Sequence, residues 1–353
     1  MLSRAERGEV VMQQAIEKVK NNKHLFYEEM LDAAKEMFQD DTPLEEIEEF
    51  LIALSKKGET AQEVAGLATI MKSFALSVPA EMDRYMDNCG TGGDGCNSFN
   101  ISTTSALVLA AAGAKITKHG NRKISSAAGS SDVLEALGIH TDLTIPETLK
   151  LLEQENVTFL YAPNVHPKLK RIGQVRRKIG KPTIFNLVGP LTNPVDLETQ
   201  FTGIYRQDFL MEYATVMKML GRKRGIVVTG AGGMDEASLA GQNQFVLVDH
   251  EDLIPFSLRP EDVGLKEAPI SAIRGGNPDD NAIILRELLK GKRDAYFDAV
   301  ALNTGIGLFA YGTVSKIKEG VELAIDTIES GKALEKLEAV IAFSEAHRKE
   351  KIL

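Results

Sequence analysis

The sequence predicts an α/β protein in which a helical region is followed by a mainly parallel central sheet flanked by helices. The first eighty residues carry apolar side chains at spacings of three and four, as amphipathic helices do. Further along, short β-rich runs alternate with helical stretches. Continuous apolar runs in such an alternation are typical of a parallel sheet that helices cover.

The helices of the first region are marked by their ends. Thr42 and Pro43 predict the start of one helix, and Gly58 predicts its end. Thr60 predicts the start of the next. The apolar positions between these signals lie on one helical face, which predicts core packing or a dimer contact between helices.

Six β-rich runs are predicted to form the sheet, and helical stretches separate several of them. The runs are 115–117, 157–162, 182–187, 201–205, 225–229 and 245–248, with helices at 132–137, 146–155 and 209–220. From residue 297 the chain is predicted to be helical again, with breaks at Gly312 and Gly331.

Composition narrows the functional class. The formal net charge of −9, from 41 Lys and Arg against 50 Asp and Glu, argues against a general nucleic-acid binder. Cys89 and Cys96 fit no zinc spacing and are predicted to be free thiols in a reducing cytoplasm. We find no secretory signal and no run near the ~20 apolar residues of a membrane span, so no membrane partner is expected.

A glycine-rich loop is the most informative stretch. Gly90, Gly92, Gly93 and Gly95 precede hydroxyl side chains and then an apolar helical run. Bare backbone N–H groups at a helix N-terminus suit a phosphate or pyrophosphate. The alternative is a flexible surface turn, which has no need of the polar residues that lead into the helix.

The loop also matches G-x-G-x-x-G, so a dinucleotide site has to be weighed. That site requires an apolar strand before the glycines and an acidic residue about 20 positions later. The sequence shows neither feature, and it contains no G-x-x-x-x-G-K-[ST] motif. A nicotinamide site and a P-loop are therefore not expected.

Two further groups of polar residues are candidates for substrate binding. The segment 118–122, Lys-His-Gly-Asn-Arg, follows a predicted strand, and the cluster Ser125, Ser126, Gly129, Ser130 and Ser131 supplies small donors. Asp235 and Glu236 follow a strand and a glycine turn, where carboxylates could hold Mg²⁺. Alternatively, the first segment is a solvated basic turn and the acidic pair caps a following helix.

A third group combines His166, Arg176 and Arg177 with the segment 185–194. The histidine could be structural, and the arginines could be a solvated helix face. Pro190 and Pro194 around Asn193 predict a rigid loop that is unsuited to a plain connection. No nucleophilic Ser with a His partner motif and no zinc pattern is present, so binding and charge stabilisation are expected rather than covalent catalysis.

Taken together, these motifs resemble the anthranilate phosphoribosyltransferase family. They are 90–94, 100–103, 118–122, 129–138, 183–194 and 235–236, in this order, and the resemblance extends over nearly the whole chain from about residue 11. It implies transfer of the phosphoribosyl group of 5-phosphoribosyl 1-diphosphate (PRPP) to anthranilate, in tryptophan biosynthesis. It also implies a homodimer.

The resemblance implies a small helical domain hinged to a larger α/β domain, with the active site at the hinge. The small, dimer-forming domain would comprise residues 1–82 and about 163–192. The large, PRPP-binding domain would comprise residues 83–162 and 193–353.

The resemblance also assigns site residues. The implied PRPP ligands are Gly90, Gly93, Asp94, Ser98, Asn100, Ile101, Ser102, Thr103, Lys118 and Ser130. The implied Mg²⁺ ligands are Ser102, Asp235 and Glu236. The implied anthranilate pocket comprises Gly90, His119, Asn121, His166, Arg176, Gly189 and Pro190, with Arg176 suited to the carboxylate.

The chain departs from the family pattern at three positions. Ser98 stands where Thr is frequent, Ala127 replaces a frequent Lys, and Thr229 stands where many members have His or Tyr. The first keeps the hydroxyl group, and the second could weaken phosphate affinity.

Two rival functions remain open at this point. A pyrimidine nucleoside phosphorylase has a similar fold but uses phosphate and a nucleoside. A non-catalytic paralogue of the same fold could bind nucleic acid, although the acidic charge weighs against it.

Overall fold

The computed structural model describes residues 4–79, 84–122 and 128–350. The first helices are α1 (Arg4–Lys20), α2 (Tyr27–Met37), α3 (Leu44–Lys57) and α4 (Ala61–Ser73). The middle of the chain contains β1 (Tyr85–Asp87), α5 (Ile101–Ala111), β2 (Lys115–Gly120), α6 (Ser130–Ala136), α7 (Ile145–Glu155), β3 (Val157–Tyr161), α8 (Ala162–Val165), α9 (Leu169–Ile179) and α10 (Phe185–Val188).

The second half contains β4 (Thr199–Gly203), α11 (Leu210–Met219), β5 (Arg224–Thr229), β6 (Asn243–Asp249), β7 (Asp252–Leu258), α12 (Pro278–Leu289), α13 (Ala295–Tyr311), α14 (Ile317–Glu329) and α15 (Lys332–Glu350). Short 3₁₀ helices lie at Gly189–Thr192, Gln207–Phe209, Pro260–Val263 and Ile270–Ile273. Among the residues described, no helix is long and apolar enough to cross a membrane.

The helix ends follow the sequence signals, with one difference. Thr60 caps α4 through a reciprocal pair of hydrogen bonds with Glu63. At the start of α3 the cap position belongs to Pro43, and the Thr42 hydroxyl instead donates to the carbonyl of Glu36, at 2.6 Å. The helical breaks at Gly312 and Gly331 are confirmed, since both have the positive φ that favours glycine.

The predicted fold class is confirmed. The sheet has the order β3-β2-β1-β4-β5-β6-β7, and its first five strands are parallel. Strands β6 and β7 complete it as an antiparallel hairpin. Helices pack on both faces of this sheet, as the continuous apolar strands predict.

Three details of the sheet differ from the sequence prediction. The run 182–187 is not a strand. Its apolar residues Phe185 and Leu187 belong to the short helix α10 and are buried in the cluster that contains α1–α4. A short apolar run indicates that its residues are buried, but it does not distinguish a strand from a helix. The strand β7 and the three-residue strand β1 were not predicted, so the glycine loop does have a strand before it.

The order of the strands positions the site. After β1 the chain forms β2 and β3 on one side, and it later returns to place β4 on the other side of β1. In open parallel sheets, ligands bind at the carboxyl ends of the strands where the order reverses in this way. The glycine loop follows β1 and therefore lies at that point.

Two large clusters of buried apolar side chains lie on the two faces of the sheet. One surrounds α5 and α13, and the other joins α1–α4 to α9, α10 and α11. The second cluster extends to Val227 and Val246 of the sheet, across the predicted domain boundary. The division into two hinged domains stays a prediction.

Candidate functional site

The glycine loop, residues 88–100, connects β1 to α5. Gly92, Gly93 and Gly95 have φ angles of +68°, +86° and +70°, which residues with a Cβ atom rarely adopt. Asn100 occupies the cap position of α5. The loop therefore presents backbone and a helix N-terminus to the same space, which favours an anion.

The acidic turn, Asp235 and Glu236, packs directly against this loop. The Gly92 N–H donates to Asp235 Oδ2 at 2.6 Å. A Cβ on Gly90 would lie 2.5 Å from the same oxygen, and one on Gly203 would lie 1.6 Å from the Asp235 carbonyl. Glycine at these two positions thus permits the close approach of loop and turn.

No helix follows the acidic turn, so the alternative role of Asp235 and Glu236 as a helix cap is wrong. Buried amides hold the turn instead. Asn243 Oδ1 accepts from Ala231 and Ser238 N–H groups at 3.1 and 2.7 Å, and Asn303 Oδ1 accepts from Ala237 N–H at 2.9 Å. The two carboxylates are consequently held at a fixed position beside the cleft.

Negative charge accumulates at this end of the site. Burial raises the pKa of Asp235, and the neighbouring carboxylate of Asp94 raises it further. Burial and Asp235 together raise the pKa of Glu236, which the cation of Lys118 and a hydrogen bond from Ser102 oppose. A cation placed here would relieve the repulsion among the three carboxylates.

Lys118 is the buried cation of the site. It is 2% exposed, and its Nζ donates to Ser102 Oγ at 3.1 Å. The sequence predicts that Lys118 and His119 follow a strand, but both belong to β2 itself. Their side chains are positioned by the sheet and not by a mobile turn.

The donor set at this end fits Mg²⁺. Within the described part of the chain, no three His, Cys, Asp or Glu side chains are arranged to hold a metal ion by themselves. Mg²⁺ commonly takes one or two carboxylates and completes its octahedron with substrate phosphates and water. Asp235, Glu236 and the Ser102 hydroxyl offer such a partial set of oxygen ligands.

A cleft of about 240 Å³ lies between the loop, the acidic turn and the end of β2. All ten residues that the resemblance assigns to PRPP line it, as do Asp235, Glu236, Asn121 and Arg122. The Asn121 N–H donates to Ser130 Oγ at 3.2 Å, and a Cβ on Gly120 would collide with that oxygen. Ser125, Ser126 and Ala127 lie outside the described residues.

Arg122 is not part of a free basic turn, because it pairs with Glu135 and with Asp132 of α6. Its charge is therefore largely compensated within the protein. Lys118 is the better candidate for meeting an anion.

Beside the cleft, His119 and His166 lie together with Gly189. The rings are 5.2 Å apart, and His119 Nδ1 donates to the Gly189 carbonyl at 3.1 Å. Burial lowers the pKa of His119 to about 3 and that of His166 to about 4, so both rings are neutral near pH 7. Because Nδ1 of His119 carries the proton, its Nε2 is an acceptor, and it has no partner among the described residues.

Arg176 approaches the cleft through Asn186. Its guanidinium lies over the Phe185 ring and donates to Asn186 Oδ1 at 3.4 Å, and Asn186 lines the cleft. Burial lowers the pKa of Arg176. His119, His166, Arg176, Gly189 and Pro190 do not themselves line the described cavity but lie beside it.

Sequence reasoning did not single out Asn186, Asp87 or Gln200 as functional. Asp87 and Gln200 lie side by side on β1 and β4, beneath the loop 189–193. Asp87 Oδ2 accepts from Asn193 Nδ2 at 2.9 Å, and Gln200 Nε2 donates to the Pro190 carbonyl at 2.7 Å. Asn186 belongs to a recognised motif, whereas nothing local in the sequence marks Asp87 or Gln200.

Thr229, one of the departures from the family pattern, has a structural contact. Its hydroxyl donates to the carbonyl of Ile204 at 2.7 Å and joins the ends of β5 and β4.

Comparison with known proteins agrees with this arrangement. Residues 82–334 match the glycosyl transferase family, α/β domain, and residues 13–75 match its helical bundle domain. The chain is 56% identical over 327 residues to the anthranilate phosphoribosyltransferase of Exiguobacterium sibiricum, covering 93% of this chain and 96% of that one.

Solved structures agree as well. The anthranilate phosphoribosyltransferase of Thermus thermophilus superposes with a TM-score of 0.89 at 38% identity, over 94% of this chain and 99% of that one. The anthranilate phosphoribosyltransferase of Saccharomyces cerevisiae in complex with PRPP and Mg superposes with a TM-score of 0.87 at 28% identity, over 96% of this chain and 99% of that one. The chain belongs to the anthranilate phosphoribosyltransferase family.

Proposed function

We propose that the chain transfers the 5-phosphoribosyl group of PRPP to the amine of anthranilate, giving N-(5-phosphoribosyl)anthranilate and pyrophosphate in tryptophan biosynthesis. One observation carries the proposal. The cleft brings the glycine loop, a buried lysine and an acidic turn together, although they are distant in the sequence. Its polar donors suit a diphosphate, and a buried apolar region with neutral histidines lies beside it.

The glycine loop and its surroundings hold PRPP in this proposal. Backbone N–H groups and the N-terminus of α5 face the phosphates, and Lys118 supplies a positive charge. The proposed PRPP ligands are those that the resemblance implies: Gly90, Gly93, Asp94, Ser98, Asn100, Ile101, Ser102, Thr103, Lys118 and Ser130.

Ser102, Asp235 and Glu236 are proposed to hold Mg²⁺. When bound, the ion neutralises charge on the diphosphate and so makes pyrophosphate a better leaving group. The carboxylates of Asp235 and Glu236 repel each other and Asp94 in the structure, which supports a cation at this position. Asn243 and Asn303 keep the turn in place, so little reorganisation is needed.

Anthranilate is proposed to bind against the neutral histidines. Arg176 suits its carboxylate, and His119 Nε2 can accept a hydrogen bond from its amine. The proposed pocket comprises Gly90, His119, Asn121, His166, Arg176, Gly189 and Pro190. A neutral His119 ring can accept a hydrogen bond from the amine, whereas an imidazolium ion could only donate.

The reaction breaks the bond between ribose C1 and the diphosphate oxygen and forms a bond between C1 and the amine nitrogen. The arylamine is a weak nucleophile, so we propose that the leaving group departs early and the ribosyl centre carries positive charge. The loop N–H groups and Lys118 stabilise the departing pyrophosphate. After the bond forms, the amine nitrogen gives its proton to water or to a carboxylate, and no covalent enzyme intermediate and no general base from the protein are assigned.

The direct test follows the loss of anthranilate fluorescence when PRPP is added, with and without Mg²⁺. A decrease that requires both PRPP and Mg²⁺ is expected. No decrease at any Mg²⁺ concentration would overturn the proposal. Phosphorolysis of a pyrimidine nucleoside, or salt-sensitive DNA binding without turnover, would support one of the two rivals instead.

We also propose a homodimer formed through the helical region, and a reducing cytoplasm as the compartment. Val10 of α1 and Ile52 of α3 are 43% and 47% exposed, and Ile52 lines a groove of about 600 Å³ between these helices. Cys89 and Cys96 are both unpaired thiols. A monomeric mass in sedimentation at micromolar concentration would overturn the dimer.

A further inference from the structure

A residue outside every motif of the sequence contacts one of the side chains that line the cleft. Asn281 belongs to α12 and is 2% exposed. Its amide nitrogen lies 2.9 Å from Oδ1 of Asn100, the cap residue of α5, which is 181 positions away in the chain. Asn100 lines the cleft, whereas Asn281 does not.

The orientation of the Asn281 amide follows from a backbone donor. Gly276 N–H lies 2.8 Å from the Asn281 side chain. A backbone N–H can only donate, so the atom that faces it must be the amide oxygen. The amide nitrogen of Asn281 must therefore face Asn100, and it can only donate.

The same reasoning fixes Asn100. Because the Asn281 nitrogen donates, the atom of Asn100 that faces it must be the oxygen. The NH₂ group of Asn100 then points the other way, with Ala128 O at 3.4 Å. Ala128 also lines the cleft. One N–H of the Asn100 amide therefore faces the Ala128 carbonyl, and the other can donate to a ligand in the cleft.

The segment before α12 is clamped to the glycine loop. Phe99 N–H donates to the Ile273 carbonyl at 3.1 Å, and Gly275 N–H donates to the Asn97 carbonyl at 2.9 Å. A Cβ on Gly275 would lie 2.8 Å from Asn281 Oδ1 and 2.9 Å from Phe99 Cα. This packing leaves the Asn281 amide little freedom to rotate.

We propose that Asn281 is a positioning residue that fixes the Asn100 amide with its NH₂ group toward the cleft, which makes Asn100 a donor to phosphate or ribose oxygens. An unconstrained asparagine could turn either its oxygen or its nitrogen to the substrate. An oxygen in that place would repel an anion. The inference rests on the proposed function only in taking PRPP as the ligand.

The test is Asn281→Asp, which replaces one NH₂ group by oxygen. The new carboxylate can still accept from Gly276 N–H but cannot donate to Asn100. The Asn100 amide should then rotate, place its nitrogen on the carboxylate and turn its oxygen to the cleft. We expect the KM and the Kd for PRPP to rise about 10-fold and the KM for anthranilate to change less than about twofold.

Asn277→Asp is the matched control. Asn277 is the exposed cap of the same helix, and its side chain only accepts, from Asp280 N–H at 3.0 Å. Asp caps a helix equally well, so this variant adds the same charge to the same segment and should leave the KM for PRPP unchanged. Asn281→Ala, which removes the donor without adding charge, should raise that KM about threefold.

A double-mutant cycle separates positioning from a general structural effect. In an Asn100→Ala background, Asn281→Asp should change the Kd for PRPP by less than about twofold, because the residue it positions is absent. The inference is overturned if Asn281→Asp leaves the Kd unchanged, or raises it equally in both backgrounds. The Kd from calorimetry with PRPP and Mg²⁺ does not depend on turnover, so a wild-type protein that binds PRPP without transferring it would refute only the proposed function.

Discussion

The two sides of the site differ in the charge of their buried side chains. The acidic side lies beside Asp94 and contains Asp235 and Glu236, whose pKa values are raised by burial and by repulsion from neighbouring carboxylates. The histidine side, around His119 and His166, keeps two imidazoles neutral because burial lowers their pKa values. The first side needs a bound cation for its charge to be balanced, whereas the second side keeps its two histidines uncharged.

The two sides also differ in construction. Backbone contacts position the acidic side. Glycines allow the loop and the turn to approach closely, and a backbone N–H donates to Asp235. The histidine side is made by side chains that the sheet and the short helices bring together. Substitutions should therefore affect the two sides in different ways.

The largest effect is expected for Asp235→Asn on the acidic side. The amide oxygen can still accept from Gly92 N–H, but the negative charge that we propose holds Mg²⁺ is lost. We expect turnover to fall about 100- to 1,000-fold. Removing a carboxylate of raised pKa should also increase the metal-free free energy of unfolding near pH 7, by about 1 kcal/mol.

Turnover at several Mg²⁺ concentrations and urea unfolding in EDTA measure these two effects. Asp326→Asn, an exposed carboxylate on α14, is the control and should change neither. Loss of both activity and stability in Asp235→Asn would mean that the carboxylate is structural, and the contrast between the two sides would fail.

The second prediction concerns the pH dependence of stability on the histidine side. The pKa of His166 is about 4 in the folded protein against 6.5 for an ordinary histidine, so the unfolded chain binds more protons between these values. The stabilising effect of the neutral ring is present above pH 6.5 and is lost as pH falls toward 4.

His166→Asn should remove this dependence. Between pH 7 and pH 5, the wild-type free energy of unfolding should fall by about 2 kcal/mol more than that of the variant. Urea unfolding at both pH values measures the difference. His250→Asn, at an exposed position whose positive φ suits asparagine, is the control. Equal pH dependence in His166→Asn and wild type would contradict a neutral buried ring.

The smallest effect is expected for Arg176→Ala. We expect the KM for anthranilate to rise about 10-fold and the KM for PRPP to change much less, because a charge-assisted bond to the carboxylate is lost. Arg177→Ala, its exposed neighbour on α9, should leave both constants unchanged. An equal rise in both KM values would mean that Arg176 does not bind anthranilate on the histidine side.

Prediction from sequence succeeded where the signal is local. The helix from Ala61 begins at its predicted cap, and the glycine loop leads into α5 as expected, because capping and φ angles depend on neighbouring residues. It failed at 182–187, where burial against other helices produces the same apolar run as a strand. It also missed β1, which is only three residues long.

The sequence by itself determined the fold class, the family and the residue types of the site, because periodicity and ordered motifs are readable along the chain. Only the tertiary structure decided which groups meet: Asp235 with the N–H of Gly92, and Asn281 with Asn100. The two residues of each pair are 143 and 181 positions apart, and the sequence around one residue does not indicate which residue it will contact. Burial, which sets the pKa values of the carboxylates and histidines, likewise exists only once the chain has packed.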